Sequence, residues 1–185
     1  MTFANFFTFL RVLLIPVFMV VYYADFRGHF LAASAIFIFA CITDWLDGHM
    51  ARRMRQCSRF GAFLDPVADK LLVTISLVML GASYPSTWYI IPAAVIVARE
   101  VLVSALREWM AEHQQRDAVA VGKIGKVKTT VQMIALIVLL ATDVQGPLWI
   151  WGTGLVLLNA AAVLTIWSMV IYLRSAWPLL KSGLK

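Results

Sequence analysis

The stretch LLVTISLVMLGASYPSTWYIIPAAVIVA, residues 71–98, runs for 28 positions without an Asp, Glu, Lys or Arg. A helix needs about 20 apolar residues to cross the hydrocarbon core of a bilayer. Gly81, the Tyr84-Pro85-Ser86 turn signal and Pro92 interrupt this run, so it reads as two membrane helices meeting in a tight turn. Composition extends that reading to the whole chain of 185 residues. Hydrophobic residues make up 62% and charged residues 14%, against roughly 45–50% and about 25% in soluble domains. A soluble core of this size cannot hide so much apolar surface, which excludes a soluble enzyme, a disordered tail and a secreted disulfide scaffold.

Outward from this hairpin, the other charge-free runs are 12–24, 28–43, 129–142 and 144–173. Most reach spanning length only if their helices continue into flanking charged stretches. The expected fold class is all-α and integral to the membrane, with six spans at about 11–24, 28–50, 61–82, 87–112, 124–142 and 147–173. A short amphipathic interfacial helix, 2–10, precedes them, with Phe3, Phe6, Phe7 and Leu10 along one face. The start lacks a basic n-region and Tyr22-Tyr23-Ala24-Asp25 makes a poor cleavage site, which argues against a cleaved signal peptide. No repeat, low-complexity segment or soluble domain interrupts the pattern, so 1–185 reads as a single membrane domain.

Charge fixes the expected orientation. Arg52, Arg53, Arg55, Arg59, Arg116, Lys123, Lys181 and Lys185 fall in the connections after spans two and four and in the C-terminal tail. The opposite connections contain only Arg27, Asp25 and Asp143, so both termini are expected in the cytoplasm. The same bias accounts for the net charge of +6 without nucleic acid as a partner. Cys41 and Cys57 have no metal-ligand neighbours and read as two free thiols.

Ten carboxylates remain to be placed in a lipid-embedded chain. The segment 43–70, TDWLDGHMARRMRQCSRFGAFLDPVADK, carries Asp44 and Asp47 three apart, then Asp65 and Asp69 four apart. Each pair falls on one face of a helix. An antiparallel hairpin would bring all four to one depth at the cytoplasmic end of spans two and three. Two unit charges about 4 Å apart repel by about 4 kcal/mol at an effective dielectric of 20. Divalent cations relieve this, and hard oxygen ligands favour Mg²⁺, Mn²⁺ or Ca²⁺. Paired divalent ions are also the usual clamp for in-line displacement at phosphorus. Salt bridges to the neighbouring arginines are the plain alternative, but intramembrane acids are functional by default. Gly48, Ala51 and Gly61 lie one turn from Asp44, Asp47 and Asp65 and leave room for a bulky group against the helices.

The spacing D-x2-D-G-x2-A-R-x8-G-x3-D-x3-D from Asp44 to Asp69 resembles the signature of the CDP-alcohol phosphotransferases at all eight fixed positions. The resemblance implies a six-helical, often dimeric membrane enzyme that moves a phosphatidyl group from a CDP-linked lipid to an alcohol and releases CMP. It further implies that Asp44, Asp47, Asp65 and Asp69 hold two divalent cations, Mg²⁺ or Mn²⁺. Asp69 is also the implied general base, and Gly48, Ala51, Arg52 and Gly61 line the CDP site.

The acceptor is addressed by the second half. Arg99, Val103 and Arg107 recur at a spacing of four, and Lys126 and Lys128 open span five at the same membrane face. Such a cluster suits a dianionic phosphate, because Arg forks bind oxygens bidentately. Glu100 is the bland partner for Arg99, but adjacent helical residues point about 100° apart. Residues 98–130, with the N-x2-T-x2-R pattern of Asn5, Thr8 and Arg11, resemble the bacterial branch of the family that uses glycerol-3-phosphate. A Pro often precedes that Asn in the branch, where Ala4 stands here. The resemblance implies CDP-diacylglycerol and glycerol-3-phosphate as substrates, with Arg99, Arg107 and Lys126 on the acceptor phosphate. It also implies a homodimer in the bacterial cytoplasmic (inner) membrane. Sibling chemistry with a cardiolipin, inositol-phosphate or serine acceptor remains open. A divalent-cation transporter is disfavoured, because the acids gather at one face rather than near the midplane. The stretch 113–122 carries no readable pattern.

Overall fold

The computed structural model describes residues 3–54, 59–112, 123–142 and 146–183. Within them lie six helices: α1 (Phe3–Tyr23), α2 (His29–Met54), α3 (Arg59–Ser83), α4 (Thr87–Glu112), α5 (Lys123–Leu140) and α6 (Leu148–Gly183). No strand occurs among the described residues. Among the described residues, three segments are long and apolar enough to cross a membrane: Leu64–Ser83, Thr87–Met110 and Leu148–Arg174. Phe9–Tyr23 and His29–Asp44 are shorter apolar segments.

The expected elements and the observed ones differ at their ends. From Phe3 on, the expected interfacial helix and the first span are one unbroken helix, since nothing between Leu10 and Arg11 stops α1. Helix α2 continues to Met54 through charged sequence, as the short apolar runs required. Helix α6 extends to Gly183, ten residues past the expected end of span six, because the sequence beyond Leu173 has only Pro178 to discourage a helix.

The protein is apolar on the outside. Trp88, Leu148, Trp149, Val156 and Trp167 are exposed, while Ala33, Phe37, Ala40 and Ala161 are fully buried. Large apolar side chains on the outside are the arrangement expected where the solvent is lipid, and the alanines let the helices approach closely.

The described residues fall into two compact units, one from 1–83 and 136–151, the other from 84–135 and 152–185. In the first unit α1 packs on α2 and α3. Arg11, Ile15, Phe18 and Tyr22 are buried at spacings of four, three and four, which defines a single stripe down α1. Phe18 meets Phe37 of α2 at 6.2 Å between ring centroids, and Tyr22 meets Phe30 edge-on at 5.4 Å. At that end the Tyr22 hydroxyl donates to Ser83 Oγ of α3 at 2.9 Å. Gly28 turns the chain into α2 with a φ of 90°, where a side chain is strained, and its carbonyl accepts from Ala32 N. The Ser34 hydroxyl donates to the Ile137 carbonyl at 3.0 Å, fastening α2 to the end of α5.

In the second unit Ser86 opens α4, its carbonyl accepting from Tyr89 N and Ile90 N. Pro92 lies inside α4 and has no N–H to offer the carbonyl four residues back, that of Trp88. Asn159 Nδ2 of α6 donates to that carbonyl at 3.1 Å and so replaces the missing helical bond.

Candidate active site

The buried stripe of α1 begins at Arg11. In α2 the stripe Ala33, Phe37, Ala40 leads at the same spacing to Asp44, and in α3 the stripe Leu80, Ser76, Leu72 leads back to Asp69 and Asp65. Because successive helices run in opposite directions, these ends coincide. Helix periodicity alone therefore delivers one arginine and three carboxylates to one end of the first unit.

Their contacts are close. Arg11 Nη1 lies 3.0 Å from Asp44 Oδ1, 3.2 Å from Asp65 Oδ1 and 2.6 Å from Asp69 Oδ1. The Arg11 side chain is fully buried, whereas the three acids each keep about 40% of their side-chain surface exposed. One positive and three negative charges sum to minus two among these four side chains. Asp47, Gly48, Ala51 and Arg52 belong to α2 and Gly61 to α3, but their side-chain placement lies outside the described residues. So do the 113–122 stretch and Cys57, while Cys41 is a free thiol.

This donor set is chemically suited to a divalent cation: hard carboxylate oxygens, gathered at one point and part-exposed. Among the described residues no three acidic, histidine or cysteine side chains are spaced as a self-contained metal cage. The acids converge instead on the Arg11 nitrogen. Sequence reasoning placed Arg11 in a motif but did not join it to the acids. The available signal was a lone cation at the end of an apolar run, which in a membrane calls for a partner.

The second unit holds Arg99, Arg107, Lys126 and Lys128. Glu100 Oε1 accepts from Arg99 Nη1 at 3.1 Å and from Lys128 Nζ at 2.8 Å. The angular argument against an Arg99–Glu100 contact therefore fails, because both side chains are long enough to bend back across the helix surface. Lys128 is buried and Lys126 is exposed. Gln132 follows one turn after Lys128, also buried. Arg107 is exposed, with its guanidinium carbon 5.8 Å from the centre of the Tyr172 ring of α6, and Val103 between the two arginines is buried. The structure thus joins Arg99 to Lys128 through a shared carboxylate, engages Arg107 with an aromatic ring and leaves Lys126 outward. Lys128, which the sequence places in the basic cluster but not among the three residues expected on the acceptor phosphate, is the lysine engaged with Glu100.

An all-helical membrane protein with a cluster of acids around a buried arginine at the end of its buried helix stripes is the class that fold and site define. The sequence model of the CDP-alcohol phosphatidyltransferase family matches residues 1–172, and the chain belongs to that family. Curated relatives agree across nearly the whole length. The chain is 53% identical over 169 residues to the CDP-diacylglycerol–glycerol-3-phosphate 3-phosphatidyltransferase of Salmonella paratyphi A, covering 91% of each chain. It is 52% identical over 169 residues to the protein of that name from Escherichia coli K12, again covering 91% of each. Against the Pseudomonas fluorescens protein of that name it is 49% identical over 183 residues, covering 98% of this chain and 93% of the relative.

Proposed function

We propose that this protein transfers the phosphatidyl group of CDP-diacylglycerol to a hydroxyl of glycerol-3-phosphate, giving phosphatidylglycerophosphate and CMP. The observation that carries the proposal is the family match across residues 1–172, with relatives about half identical that are named for this reaction. The convergence of Asp44, Asp65 and Asp69 supplies the chemistry it requires.

Asp44, Asp47, Asp65 and Asp69 are the residues that would hold two divalent cations, Mg²⁺ or Mn²⁺. Bound there, such ions supply charge neutralisation to the CDP pyrophosphate and ease the departure of CMP. Asp69 accepts the proton of the acceptor hydroxyl as its oxygen bonds to the phosphatidyl phosphorus and the bond from that phosphorus to the CMP oxygen breaks. Gly48, Ala51 and Gly61 give the nucleotide room against the helices, and Arg52 offers it a positive charge. Arg99, Arg107 and Lys126 receive the phosphate of the acceptor, with Lys128 and Glu100 setting the local charge.

The chain acts as one catalytic domain, 1–185, with six membrane spans and an interfacial N-terminal turn of α1. Its setting is the bacterial cytoplasmic membrane, with both termini and the acid cluster on the cytoplasmic side, and its assembly is a homodimer. The positive-inside distribution of Arg and Lys supports the orientation. A panel of acceptors offered to the purified protein with CDP-diacylglycerol and Mg²⁺, read by CMP release, tests the substrate. Glycerol-3-phosphate should give the fastest release. Faster release with serine, an inositol phosphate or phosphatidylglycerol would move the protein to a sibling branch of the family.

A further inference from the structure

We propose that Gln132 helps to determine which alcohol the site accepts, its side-chain carbonyl taking a hydrogen bond from the secondary hydroxyl of glycerol-3-phosphate. This role rests on the reading of glycerol-3-phosphate as the acceptor, with its phosphate received at Arg99.

Lys128 and Gln132 stand one turn apart on the buried stripe of α5, at 2% and 3% exposure. Lys128 reaches to α4, where its Nζ donates to Glu100 Oε1 at 2.8 Å, and Arg99 Nη1 donates to the same oxygen at 3.1 Å. Beyond Gln132 the stripe turns apolar, with Ala135, Leu136, Leu139 and Leu140 buried. Gln132 is therefore the last polar side chain on the stripe before this apolar run.

Two atoms on these residues are buried without a hydrogen-bond partner among the described residues: Arg99 Nε and Gln132 Oε1. Buried polar groups are met by protein, water or ligand, and surrounding lipid offers them nothing. The two needs are opposite in kind. Arg99 Nε is a donor and calls for an accepting oxygen, which a phosphate supplies. Gln132 Oε1 is an acceptor and calls for a donor, which a dianionic phosphate lacks. A ligand that meets both carries a phosphate and a hydroxyl on one short chain. Four residues of helix rise about 6 Å, a distance that a three-carbon phosphate ester covers. Glycerol-3-phosphate has two hydroxyls to offer. The less hindered primary one attacks phosphorus and gives its proton to the general base, so the secondary one is left to donate to Gln132. A site that bonds a hydroxyl rejects the analogue lacking it, because its own polar group then stays buried and unpaired.

The experiment uses the full chain in lipid nanodiscs with CDP-diacylglycerol and Mg²⁺, read by CMP release. Two acceptors are compared: glycerol-3-phosphate, and 3-hydroxypropyl phosphate, which keeps the phosphate and primary hydroxyl but lacks the secondary one. Wild type should favour glycerol-3-phosphate by roughly tenfold in kcat/KM, the scale of one hydrogen bond lost with its partner left buried. Gln132→Met keeps the length of the side chain and removes its amide. It should lose that roughly tenfold on glycerol-3-phosphate, through KM, and stay within about twofold of wild type on the analogue. The KM for CDP-diacylglycerol should not move. Equal losses on both acceptors overturn the proposal, since Gln132 then serves packing or holds a water. A wild type that uses both acceptors equally well overturns it too, while leaving the acceptor reading intact. If Gln132→Met does not fold, the ¹⁵N side-chain amide signal of Gln132 in the wild-type chain decides the matter. It should shift with glycerol-3-phosphate and not with the analogue, and equal shifts or none overturn the proposal. A wild-type chain that releases CMP with neither acceptor removes the acceptor reading itself.

Discussion

At Asp69, position and charge make separable contributions. Its carboxylate is held 2.6 Å from Arg11 and stays part-exposed, so it is both anchored and reachable. Replacing it with Asn keeps the shape and an oxygen for Arg11 but removes the capacity to take a proton. Asp69→Asn should lower kcat by about 10²–10⁴, the usual worth of a general base. Single-turnover CMP release from the folded variant measures this, and wild-type turnover would remove Asp69 from the chemistry. The acids themselves are legible in the sequence, because spacings of three and four put each pair on one helix face whatever the rest of the chain does. The link from Arg11 to them is not legible, because Asp44, Asp65 and Asp69 lie on other helices, the last two 54 and 58 residues away, and no local periodicity records so distant a contact. Glu100 was dismissed as a partner of Arg99 on the direction of its Cα–Cβ bond, which long side chains override.

The helices show the same division. Their number and order follow from charge-free runs and turn signals, and α4 begins and ends where the pattern placed it, at Thr87 and Glu112. The ends of α1 and α6 were less legible. Helix continuation past a span depends on the absence of a breaker, and neither Arg11 nor Arg174 is one. Pro92 shows a helix relying on a neighbour. It leaves the Trp88 carbonyl without its helical donor, and Asn159 of α6 provides one at 3.1 Å. Asn159→Ala should destabilise the protein by about 1 kcal/mol, in line with hydrogen bonds measured between membrane helices. On a Pro92→Ala background the cost should shrink, because the alanine N–H reaches the Trp88 carbonyl itself. Thermal melting of the four proteins forms a double-mutant cycle. An identical loss on both backgrounds would separate Asn159 from the proline.

Over the whole molecule, apolar surface and charge are sorted rather than mixed. Large apolar side chains such as Leu31, Val101 and Val163 face outward. Of the groups that a membrane disfavours, Arg11 is ringed by acids and Lys128 lies against Glu100. In a chain with 62% hydrophobic residues, four of the ten carboxylates, Asp44, Asp65, Asp69 and Glu100, are engaged by buried or part-buried cations. The composition alone indicated a membrane protein, while the placement of its few charges indicates an enzyme that works on an anionic, lipid-linked substrate. The central claim is the identity of the two substrates, and transfer of label tests it most directly. Purified protein in mixed micelles receives radiolabelled glycerol-3-phosphate and Mg²⁺, with and without CDP-diacylglycerol, and the lipid extract is counted. Label should enter the lipid phase only when CDP-diacylglycerol is present, with one CMP released per label transferred. CMP release without label in the lipid, or label transfer without CDP-diacylglycerol, would contradict the account.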